Sequence, residues 1–127
     1  MSYFFKKEVN LKFDEAVAKV REELKNEGFG VLTEIDVKTT LKNKLDVDFK
    51  PYLILGACNP PFAYKALQAE EQIGLMLPCN VVVQEIDGKI VVSAIDPVAS
   101  MQAVTNAELV PVANEVQEKL KKVIDSL

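Results

Sequence analysis

Two apolar runs flanking a proline-started helix constrain this chain more than any other feature. Tyr52–Ala57 (YLILGA) is almost wholly apolar, and Val81-Val82-Val83 follows Cys79-Asn80. A strand apolar on both sides is covered on both sides, so these runs predict interior strands. Between them, Asn59-Pro60 offers a capping side chain and then Pro at the first helical position, where its missing N–H costs nothing. That helix is expected to reach about Ile73, with Gly74 ending it. Both cysteines sit at the junctions, Cys58 closing the first strand and Cys79 opening the second. A right-handed crossover would make the strands parallel and put the thiols at opposite sheet edges. A chain that turns back at Leu75–Pro78 would bring them together. The residues leave both arrangements open.

The rest of the chain supplies the other elements. Residues 2–9 predict a strand with Tyr3, Phe5 and Val9 on one face. An amphipathic helix is expected over Phe13–Glu27, its stripe Phe13, Ala16, Val17, Val20 and Leu24, with Gly28 as its stop. A strand Phe29–Asp36 puts Phe29, Val31, Thr33 and Ile35 on one side, and Asp36 then caps a short helix to about Lys44. Asp87-Gly88 between two apolar runs is the strongest hairpin signal present. Asp96-Pro97 repeats the device of cap and then proline. Leu109 to Ser126 carries the longest apolar stripe, from Leu109 through Val116 and Leu120 to Leu127. The order β-α-β-α-β-α-β-β-α-α predicts a single α+β domain of 127 residues. It is a two-layer sandwich with one sheet of about five strands and helices mainly on one face. The other sheet face carries apolar residues too, and either the short helices or a second copy of the chain would cover it. A homodimer is therefore expected.

Charge and composition narrow the function. Net charge is −4, with the basic residues scattered, so neither nucleic acid nor an anionic membrane is an expected partner. No apolar stretch approaches the ~20 residues of a membrane span, the N-terminus does not resemble a signal peptide, and the expected location is the cytoplasm. Histidine is absent, which removes the commonest general base and most zinc sites. Neither GxxxxGK nor GxGxxG occurs, and no cofactor is expected.

Cys58 precedes a helix N-terminus, where a thiolate is favoured. The plainer reading is a small buried hydrophobe. Glu34 and Asp36 lie two residues apart on a strand, a spacing that suits acid–base work or a cation; the plainer reading is a solvated face plus a helix cap, above all for Asp36. Asn59, Asn80 and Asp96 complete the candidate set, Asn59 and Asp96 first as caps. A soft-metal site using both thiols and Met76 or Met101 lacks CxxC spacing.

The segments Gly28–Val37, Leu55–Pro60, Gly74–Val83 and Asp96-Pro97 together resemble the family called domain of unknown function 302, in its order and over nearly the whole chain. The resemblance implies a bacterial or archaeal α+β sandwich that forms homodimers. It marks Glu34, Asp36, Cys58, Asn59, Pro60, Pro78, Cys79, Asn80 and Asp96 as motif positions without assigning roles. Three readings follow: a homodimeric small-molecule-binding or sensory module, thiol redox or nucleophilic chemistry at Cys58, and a structural interaction module.

Overall fold

The computed structural model describes residues 2–127. Five strands form one sheet: β1 (Phe4–Val9), β2 (Gly30–Asp36), β3 (Tyr52–Cys58), β4 (Cys79–Ile86) and β5 (Lys89–Ile95). Their order is β1-β5-β4-β3-β2 and every pairing is antiparallel. The strand–helix–strand unit is therefore no parallel crossover. Ala57 faces Cys79 across the β3–β4 ladder, so Cys58 and Cys79 lie at the same end of the sheet. Asp87 and Gly88 both hold positive φ, 51° and 78°, as a two-residue hairpin turn of the I′ kind requires.

The helices are α1 (Phe13–Asn26), α2 (Val37–Leu45), α3 (Pro60–Ala69), α4 (Pro97–Ser100) and α5 (Leu109–Asp125). The stripes of α1 and α5 bury Val20, Leu24, Leu120 and Val123 against Leu55, Val81, Val83 and Val92 of the sheet, forming the main core. A second, smaller cluster gathers Ala66, Ile73 and Leu109. α5 contributes to both. α2 packs against β2 and β3 but buries no residue.

Three local expectations are corrected. α3 stops at Ala69, not Ile73: Glu70 turns extended and the chain re-coils as a 3-10 segment, Glu71–Met76. This turn swings Ile73, 1% exposed, into the second cluster. Gly74 holds no positive φ and does not act as a left-handed stop. In β2 a bulge falls between Val31 and Thr33, so Val31 pairs with Ala57 while Thr33 pairs with Gly56. Adjacent positions on a strand point to opposite faces, and Val31 and Thr33 therefore part company. At the N-terminus, Tyr3 precedes β1 and is exposed. Lys7 instead reaches the end of α5, its Nζ donating to the carbonyls of Asp125 and Leu127.

Candidate functional site

The site is built from the end of α1 outward. That helix closes with Gly28 at φ 85°. Gly28 N–H donates to Lys25 O and Phe29 N–H to Leu24 O, the two bonds of a Schellman turn. Phe29 is thereby folded into the core beside Leu24. Glu27 O is left at the helix end, and Asn59 Nδ2 donates to it at 3.1 Å. Asn59 was expected to cap α3, but its side chain makes no capping bond. Pro60-Pro61 contributes to this: a cap oxygen bonds the N–H of the second or third helical residue, and Pro61 has none, which leaves only that of Phe62. The freed carboxamide turns to α1 instead.

β3 ends at Cys58, half-buried, and β4 begins at Cys79, buried; both thiols are free. Burial, and behind it repulsion from Cys58, pushes the Cys79 thiol from an ordinary value near 9.0 up to about 11. Cys79 thus stays a neutral thiol at physiological pH. Gly56 lets β2 and the Leu77–Pro78 turn close over the strand: a Cβ there would lie 2.1 Å from Thr33 Oγ1 and 2.8 Å from Pro78 Cγ.

These groups open onto a cavity of about 310 Å³ at the seam between the two core clusters. Its wall is apolar, with Phe29, Phe62, Leu77, Met101, Leu109 and Val116 prominent. Polar groups come from Thr33, Cys58, Asn59 and Cys79, and no lining residue carries a charge. Leu32, thrust out by the β2 bulge and 69% exposed, stands with Leu67 where the cavity meets solvent.

Of the seven candidate residues, the structure brings Cys58, Asn59 and Cys79 together around this space. The other four stand apart. Glu34 pairs with Arg21 on the exposed surface. Asp36 caps α2, accepting from Thr39 N–H at 3.0 Å. Asp96 caps α4 through Val98 N–H and also accepts from Gln117 Nε2, both at 3.0 Å. Asn80 is exposed on β4 opposite Gly56. Met101 lines the cavity and Met76 does not. Sequence reasoning missed Phe62, Leu77 and Leu109 as cavity residues because they carry the same apolar signal as the core.

Among the described residues no helix is long and apolar enough to cross a membrane. No curated protein matches the chain. A crystal structure titled as an uncharacterized conserved DUF302 protein from Bacillus stearothermophilus superposes with a TM-score of 0.92 at 28% identity, covering 98% of each chain. The model of the domain of unknown function DUF302 matches residues 5–127, which is all of the sheet but Phe4 and every helix described above. The chain belongs to the DUF302 family.

Proposed function

We propose that this domain binds a small, largely apolar molecule in the cavity at the seam of its two core clusters. The observation that carries the reading is the wall: about 310 Å³ of space with an apolar lining and no charged residue. Ligand pockets have this character, an apolar body with few polar groups to fix orientation. Ala63 in α3 lines the space and is not fully buried, so Ala63→Phe fills it with little strain on the fold. A native mass spectrum of the gently purified protein should show a retained adduct, or uptake of added naphthalene, that Ala63→Phe abolishes. No uptake at millimolar naphthalene would sink the reading.

The module is also proposed to work as a homodimer. Ile35 is 48% exposed, and Ile54, Val82 and Val91 are only partly covered, on the sheet face away from the main core. Isologous packing of that face in two copies would cover it. Light scattering that returns a monomer at micromolar concentration would overturn this. Two free thiols suit the reducing cytoplasm, the proposed location.

A second reading, thiol chemistry at Cys58, is favoured by one observation: Cys58 and Cys79 share the cavity. It predicts rapid alkylation at neutral pH, abolished by Cys58→Ser. Labelling no faster than in an unfolded peptide would remove it.

A further inference from the structure

The polar atom that the cavity leaves unused is Asn59 Oδ1. Asn59 is 8% exposed, and its carboxamide is fixed by the Nδ2 bond to Glu27 O. No donor of the described residues reaches Oδ1. Yet no side-chain polar atom of the described residues is both fully buried and without a partner. Oδ1 therefore keeps accessible surface, and Asn59 is one of the residues that line the cavity. A ligand that displaces water from this fixed acceptor without donating in its place leaves it unpaired, which is costly.

Two further observations bound what that donor belongs to. An apolar cavity of about 150 Å³ holds one benzene; this one is about 310 Å³, so it fits a body of two fused rings or a comparable aliphatic mass. None of the lining side chains is charged. An ionised head would lose its hydration with no partner, and so is rejected. Lys65 and Lys119 place Nζ 5.6 and 6.0 Å from the Phe62 ring centroid without lining the space themselves.

Resting on the apolar-ligand reading above, we infer that the cavity selects a neutral, two-ring-sized apolar molecule with a single O–H or N–H donor, which Asn59 Oδ1 accepts. The hydroxyl of Thr33 and the thiols of Cys58 and Cys79 are the other polar groups of the wall.

Titration calorimetry with 2-naphthol, 2-methoxynaphthalene and 2-naphthoate tests this on the intact protein. The naphthol should bind about tenfold more tightly than the methoxy compound, which has the same rings and no donor, because the latter leaves Oδ1 unpaired. The naphthoate should show no binding at millimolar concentration. In Asn59→Leu the naphthol and methoxy affinities should converge to within about twofold. Should that variant fail to fold, the wild-type series still decides. Equal wild-type affinities for naphthol and methoxynaphthalene would overturn the role of Asn59 while leaving the apolar cavity intact. Naphthoate binding tightest would overturn the neutral-head inference in favour of recognition by Lys65 or Lys119. Binding of none of the three would remove the apolar-ligand reading along with this one.

Discussion

Gly56→Ala is the sharpest probe of how the sheet end holds the site. The added methyl would meet Thr33 Oγ1 at 2.1 Å and Pro78 Cγ at 2.8 Å. The Thr33 hydroxyl can rotate away about one bond. The Pro78 ring cannot, because it is tied into the backbone beside Cys79. Overpacking typically costs about 1–3 kcal/mol, and a rigid neighbour places this case in the upper half, about 2–3 kcal/mol. At about 2.1 cal/mol/K of unfolding entropy per residue, a domain this long loses roughly 4 °C in Tm per kcal/mol, so the shift is roughly 8–11 °C. Urea unfolding followed by far-UV circular dichroism reads the loss directly, with the m-value unchanged. Adding Thr33→Ala removes the nearer contact and leaves the Pro78 one, so the double variant should recover about 1 kcal/mol. A Gly56→Ala protein within about 0.5 kcal/mol of wild type would refute the close approach. So would a double variant with no recovery, which would show that Thr33 is not the obstacle.

Three other outcomes follow from contacts already described. Cys79 has its thiol raised from 9.0 to about 11, so the folded state holds a proton that the unfolded chain releases. Stability should therefore fall as pH rises from about 9 to 11, by about 2–3 kcal/mol, and Cys79→Ala should flatten that part of the curve in pH-dependent urea titrations. Removing the cation at the end of α5 by Lys7→Met should lower stability by about 0.5–1 kcal/mol, less at high salt; an effect unchanged in 1 M NaCl would count against the helix-end contact. Glu34→Gln should change stability by no more than about 0.5 kcal/mol, because both partners of the Arg21 pair are exposed, and thermal melts would detect a larger role.

The elements that followed from the sequence are those in which local chemistry agreed with tertiary need. Asp87-Gly88 made the hairpin, the doubly apolar run of β3 lies inside the sheet, and the stripe of α5 is buried as its spacing required. The departures share a cause: a single residue answering a distant partner rather than its own neighbours. Ile73 abandons the α3 helix to reach Ala66 and Leu109. Leu32 bulges and reverses the facing of Thr33. Asn59 has a capping side chain in a capping position, but Pro61 removes a donor and the C-terminus of α1 supplies an acceptor. The cavity itself had no separate signal, since it exists only where two apolar clusters meet without filling the gap between them. Cys58 and Cys79 could be named in advance; that they share one space depended on the antiparallel return of β4.

The position of β1 has a consequence for how the chain assembles. Strands β2 to β5 form an antiparallel run in which each new strand docks on the one before it. β1, the first made, pairs with β5 alone among the described residues, with Phe4 opposite Ile95. Closing a loop of about ninety residues is entropically slower than any hairpin in the rest of the sheet. On a ribosome, then, the earliest strand waits for the latest. Until β5 has emerged, Phe4 and Phe5 remain on an unpaired strand, and the sheet is a four-stranded platform with one edge reserved for its own N-terminus.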